Sequence, residues 1–171
     1  MIFFRTRSGG EPSSLKIRSH VRWFLINMNQ QEKIDKLLEL SKLAYSQNEV
    51  PVSCLITYQD KIIATSYNQI EKHNSCFEHA EIIALKKAYE KLNTKNLNDC
   101  EIYISLEPCL MCLGAIINSH IKKIYFLCLD NKKGAFSYYN IQPSIDNLEI
   151  HYIENKETKE LLTKFFKTLR K

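Results

Sequence analysis

Between residues 30 and 48, Ile34, Leu37, Leu38, Ser41, Ala44 and Tyr45 recur at steps of three and four, with glutamate and lysine between them. That period predicts an amphipathic helix, which Pro51 closes. The pattern then changes. Residues 52–58 and 61–67 are β-branched runs divided by Gln59-Asp60, which predicts a hairpin with a tight turn although the favoured glycine is missing. Residues 79–92 turn helical, 101–106 (Glu-Ile-Tyr-Ile-Ser-Leu) alternate as a strand, 109–120 form an apolar helix and 123–129 a further strand. A short fifth strand over 149–153 precedes a last helix over 157–170, whose Leu161, Leu162, Phe165, Phe166 and Leu169 make one stripe. Helix alternating with strand predicts an α/β fold, a sheet covered by helices.

Residues 1–27 do not share this patterning. Ser8-Gly9-Gly10-Glu11-Pro12-Ser13-Ser14 is polar and rich in breakers, and a short basic, aromatic piece follows it. We read 1–27 as a disordered or dispensable extension, although its arginines also imitate a transit peptide, and 28–171 as a single domain. A chain of 171 residues with 44% hydrophobic content suits one core and is short for two. The net charge of +5 carries little information, because Arg5, Arg7, Lys16, Arg18 and Arg22 against Glu11 alone supply most of it. Local clusters remain: Lys122-Lys123 with Lys132-Lys133, and Lys164, Lys167, Arg170 and Lys171 near the C-terminus.

No stretch reaches the roughly 20 apolar residues a bilayer requires, and Trp23-Phe24-Leu25-Ile26 is too short for a signal-peptide core. The expectation is a soluble, cytoplasmic protein without a membrane. Of six cysteines only Cys109 and Cys112 stand at metal spacing. Cys54, Cys76, Cys100 and Cys128 read as small buried hydrophobes in a reducing compartment, Cys76 least securely because it lies close to His79.

The chemistry concentrates in His79-Ala80-Glu81 and Pro108-Cys109-Leu110-Met111-Cys112. One imidazole and two thiols are ligands for zinc, and neither motif offers a fourth. Structural zinc is nearly always closed by four side chains, whereas zinc held by three keeps a place for water and lowers its pKa to about 7. Two cysteines three apart share a helix face, and thiols at a helix N-terminus are held toward thiolate. Pro108 suits the start of that helix. Both motifs open predicted helices, so the site should form where two helix N-termini meet at an edge of the sheet. Glu81 poses a difficulty, since positions two apart on a helix do not face one way; His79 and Glu81 converge only on a point near the helix axis at its first turn. A closed structural site would need His73, His120 or Cys76 to volunteer.

His-Ala-Glu with Pro-Cys-x-x-Cys is the signature of the zinc-dependent nucleobase and nucleoside deaminases. Within them the chain resembles the bacterial tRNA adenosine deaminases, through Glu49-Val50-Pro51-Val52, Tyr67-Asn68, His79-Ala80-Glu81, Leu106-Glu107-Pro108-Cys109-Leu110-Met111-Cys112, Gly114-Ala115, Asp130, Gly134 and the run from Phe165 to Lys171. The resemblance implies a three-layer α/β/α cytidine-deaminase-like fold with a mixed five-stranded sheet, a homodimer, and conversion of adenosine to inosine at the wobble position of a tRNA anticodon stem-loop. It implies one Zn2+ per chain on His79, Cys109 and Cys112, with zinc-activated hydroxide attacking C6 and Glu81 shuttling protons. It further implies Asn68 on the target base and Asp130 and Phe166 against the anticodon loop.

The chain departs from that pattern at Ser53, usually glycine; at Phe77-Glu78; at Lys133, Phe136 and Ser137, where smaller residues are usual; and over 138–147. Glu78 at the mouth would repel phosphate, and Phe136 would narrow the pocket. Two other functions fit parts of the pattern. A free-base or nucleoside deaminase, of guanine or cytosine type, keeps the chemistry and changes the substrate. A non-catalytic RNA-binding partner would keep zinc for stability, and Glu81 argues against it.

Overall fold

The computed structural model of the chain describes residues 29–142 and 148–169. The expected N-terminal extension, Arg170, Lys171 and much of the divergent stretch 138–147 lie outside the described residues. Helix α1, Gln30–Ser46, starts with a capping box in which Asn29 accepts from Glu32 N and Glu32 accepts from Asn29 N. The hairpin follows as β1, Ser53–Tyr58, and β2, Lys61–Tyr67. Gln59 and Asp60 both take positive φ, 51° and 58°, the backbone a two-residue hairpin turn requires. Lys33, 3% exposed, reaches from α1 to Asp60 at 3.3 Å and to the Tyr103 hydroxyl at 3.2 Å, tying the turn to the helix above it.

A single-turn helix α2, Ile70–His73, precedes α3, Ala80–Leu92; then come β3, Cys100–Ile104, α4, Leu110–Asn118, β4, Lys123–Phe126, β5, Glu149–Tyr152, and α5, Lys156–Thr168. The strands form one sheet in the order β2-β1-β3-β4-β5. β1 runs antiparallel to both neighbours, while β3, β4 and β5 are mutually parallel, so the sheet is mixed. Alternation along the central strands fills two separate cores. Cys54, Ile56, Ile102, Ile104 and Ile124 join Ala84, Leu85, Leu113 and Ile116 of α3 and α4. Leu55 and Tyr103 point the other way, against Ile34, Leu37 and Leu38 of α1. Helices thus cover both faces, and α5 lies beside α1 through the Phe165–Tyr45 edge contact at 5.8 Å. This is the expected three-layer arrangement.

Ser53 is fully buried where a smaller residue is usual, and its polar group is satisfied: Oγ donates to Leu37 O at 2.7 Å and lies 2.9 Å from Ser41 Oγ. All six cysteines are free thiols. Among the described residues no helix is long and apolar enough to cross a membrane.

Candidate active site

The register puts Ser53 opposite Tyr67 and Cys54 opposite Ile104, so the start of β1 and the ends of β2 and β3 share one end of the sheet. The loops there close a cavity of about 160 Å³ lined by Val50, Val52, Asn68, Ile70, His79, Glu81, Leu106, Glu107, Cys109, Asp130 and Lys133. The site lies over the ends of central strands and not along a lateral edge. Five residues expected from the sequence stand in this one wall. Cys112 sits behind them, fully buried.

Neither ligand motif begins inside its helix. His79 is the N-cap of α3 and Cys109 the N-cap of α4, each with extended backbone and neither using its side chain as a cap. Both side chains therefore stand free at helix starts. Cys109 and Cys112 are N-cap and N3, a pair whose side chains meet as in a capping box. Because His79 leaves the helical path, it shares the cavity wall with Glu81, which answers the difficulty posed by their spacing. Pro108 stands before the cap and not at the first helical position, and its carbonyl accepts from Ala135 N at 2.9 Å.

His79 Nδ1 is 3.6 Å from Cys112 Sγ and 3.9 Å from Cys109 Sγ. Tetrahedral zinc, with bonds of about 2.3 Å to sulfur and about 2.0–2.1 Å to nitrogen, holds such atoms about 3.6 Å apart. The three residues form the group found among the described residues that could hold a metal ion, and no fourth His, Cys, Asp or Glu joins it. His73, one of the candidates for a fourth ligand, bonds Gln69 instead. The hydrogen bond shared with Cys112, then that with His79, brings the Cys109 thiol down to about 4. The same Cys109–Cys112 bond, with burial, pushes the Cys112 thiol far up. The bond to Cys109 raises the His79 imidazole.

Glu81 is 3% exposed, and burial pushes its carboxyl above the usual range. Its Oε2 is the buried side-chain oxygen that finds no hydrogen-bond partner among the described residues. A polar atom left so is costly, about 1–3 kcal/mol, and calls for a reason such as a catalytic role or a bound ion or water. With a three-ligand set beside it, that orphaned oxygen fits a metal with an open position.

Asn68, 4% exposed, accepts from Ala80 N at 2.9 Å through Oδ1. Its carbonyl is thus anchored to the start of α3, which leaves both NH2 donors of the amide available to a ligand. Asp130 Oδ1 accepts from Lys132 N at 3.0 Å and Lys133 N at 3.2 Å, fixing its own turn. Phe166 is not part of the cavity wall. It is 42% exposed on α5, while its neighbour Phe165 is buried at 5%, as adjacent helical positions require. Glu78 and Phe136 are also absent from the wall, and Phe136 stacks on Phe126 at 5.9 Å instead of narrowing the cavity.

Two groups carry more than their sequence context signals. Glu107, 3% exposed, accepts from Asp130 N at 2.9 Å, from Phe136 N and Ser137 N at 2.7 Å, and from the Ser137 hydroxyl. One buried carboxylate thereby shapes the whole loop from 130 to 137. Gly134 packs against that carboxylate so closely that a Cβ would collide with it and stand 2.6 Å from Asp130 O, which is why only glycine fits. Glu49, 1% exposed, likewise accepts from Glu71 N at 3.2 Å and Lys72 N at 2.8 Å, holding α2 so that Ile70 joins the wall.

The MafB19-like deaminase family profile matches residues 28–170. A protein of Aquifex aeolicus named tRNA-specific adenosine deaminase is 38% identical over 147 residues, covering 84% of this chain and 97% of its own. One of the same name from Rickettsia typhi is 38% identical over 144 residues, covering 80% and 97%. A solved structure, from studies of A-to-I editing by tRNA:A34 deaminases at the wobble position of transfer RNA, superposes with a TM-score of 0.72 at 26% identity. It covers 78% of this chain and 100% of its own. With the cluster and the fold in agreement, the chain belongs to the MafB19-like deaminases, among the enzymes named tRNA-specific adenosine deaminase.

Proposed function

We propose that the chain hydrolyses adenosine to inosine at the wobble position of a tRNA anticodon stem-loop, water replacing the 6-amino group and ammonia leaving. The observation that carries this reading is the unpartnered Glu81 Oε2 beside a three-ligand cluster, in a chain whose relatives bear that activity in their names. His79, Cys109 and Cys112 would hold one zinc ion, which when bound supplies Lewis acidity and a water of pKa about 7. Glu81 takes a proton from the attacking water at Oε2 and gives it to the ring nitrogen, then takes a second from the hydroxyl now on C6 and gives it to the departing amine. Asn68, with its carbonyl anchored, offers its NH2 to an acceptor of the base. Val50, Val52, Ile70 and Leu106 supply the apolar wall against which a purine packs.

Asp130 meets the RNA at the cavity wall in this reading and Phe166 outside it, as an exposed ring for a loop base. Metal-loaded protein incubated with an anticodon stem-loop carrying a wobble adenosine should form inosine. Turnover of free guanine, cytosine, cytidine or adenosine with none of the RNA would move the function to a small-molecule deaminase. A homodimer is part of the same proposal. Helix α4 has no charged residue, and Leu110, Gly114 and Ile117 share one side of it. Leu110 is 43% exposed and a Cβ at Gly114 would meet nothing within 4 Å, an open apolar surface that a second copy would cover. Sedimentation should give twice the chain mass, and a monomer at micromolar concentration would remove the dimer.

A further inference from the structure

We propose that Lys133 is a specificity-determining residue whose ammonium meets a phosphate next to the nucleoside being deaminated, so that the enzyme selects polynucleotide over free base. The proposal rests on the RNA-deaminase reading above and names how the site recognises that class of substrate. Size comes first. A cavity of about 160 Å³ is well below the roughly 300–1,000 Å³ usual for drug-sized ligands. A base can enter it, but the sugar and phosphates stay at the mouth.

Charge comes second. Beyond its apolar wall the cavity presents Glu81, Glu107 and Asp130, a poor surface for a polyanion. Lys133 is the one lysine or arginine among the lining residues. It is exposed, and among the described residues no carboxylate stands within ion-pair distance of it. Its charge is therefore available to a ligand.

Placement comes third, and it is unusually firm for a loop lysine. Lys133 N donates to Asp130 Oδ1 at 3.2 Å, Gly134 N donates to Asp130 O at 2.9 Å, and Gly134 forms a β-bridge with the metal-cluster residue Cys109. Glu107 then holds the loop on both sides of Lys133, through Asp130 N before it and through Phe136 and Ser137 after it. The backbone is locked next to the reacting centre while a long, flexible cation projects from it. An ammonium on such a stem is a point charge that follows a phosphate without demanding one orientation. A free purine has no phosphate and gains nothing from it.

The test compares wild-type and Lys133→Met protein, both zinc-loaded, on an anticodon stem-loop and on the same RNA with neutral methylphosphonates at the linkages flanking the wobble adenosine. On native RNA the variant should lose about tenfold in kcat/KM, and its log–log salt slope should become shallower by about 0.7, one phosphate contact on a single strand. Lys133→Arg should restore most of the rate. On the methylphosphonate RNA, wild type and variant should be equal. An unchanged salt slope on native RNA, or an equal loss on both RNAs, overturns the assignment to phosphate while leaving the deaminase reading intact. A wild type that converts neither RNA overturns that reading and this inference with it.

Discussion

Glu81→Gln should lower single-turnover inosine formation about 10²–10⁴-fold while the protein retains its zinc and its fold. Positioned general acid–base groups contribute about that much, and glutamine keeps the shape of glutamate but cannot accept and return a proton. The structure makes this substitution unusually clean. Oε2 bonds nothing among the described residues, so an amide can stand in its place without breaking a hydrogen bond to that atom. The carboxyl is nearly fully buried, and burial already raises its pKa. A buried carboxylate carries a desolvation cost that the neutral amide avoids, so the variant should melt close to wild type. Metal content by elemental analysis and a thermal melt accompany the rate. Near wild-type turnover in this variant would remove the proton-transfer role from Glu81. Loss of zinc would instead assign Glu81 to holding the metal.

The site was legible in the sequence to the extent that its chemistry is local. His79-Ala80-Glu81 and the paired cysteines announce themselves by residue type and spacing, and each starts an element whose period is strong. The hairpin was equally readable, because β-branched runs on both sides of a two-residue gap leave little choice of turn. Helix α2 was not. It is a single turn with no apolar repeat, and its N-terminal amides are satisfied by Glu49, more than twenty residues earlier in the chain. Glu107 was hidden for the same reason, since its partners lie some thirty residues downstream and are mostly backbone amides, which leave no mark on sequence. Asn68 was visible as a residue, but that its carbonyl is committed to Ala80 N follows only from the meeting of β2 and α3.

Helix starts were the subtler difference. A three-residue spacing puts two cysteines on one face whether the first lies in the helix or caps it, so sequence fixed the meeting of the side chains without fixing the boundary. The boundary matters chemically. An N-cap has extended backbone, and that is what lets His79 reach the same wall as Glu81. Convergence of these two groups depends on where α3 begins more than on their separation in sequence.

Substitution of a cluster residue should behave differently from Glu81→Gln, and the contrast separates catalytic from purely structural metal. His79→Ala or Cys112→Ala removes one of three ligands, so zinc content should fall below stoichiometric and inosine formation below detection. Stability should fall as well, because a metal that binds only the folded chain stabilises it by about 4 kcal/mol when free zinc is a thousand times its dissociation constant. Cys112 adds a further loss, since its side chain is fully buried in the first turn of α4. Zinc titrated into wild type should therefore raise the melting temperature, and the same titration should do little for either ligand variant. Glu81→Gln should show the full zinc-dependent rise without activity. If a ligand variant keeps both zinc and turnover, the reacting centre is not the one formed by His79, Cys109 and Cys112. If all three variants, Glu81→Gln included, lose only stability and leave turnover intact, the metal braces two helix starts and does no more.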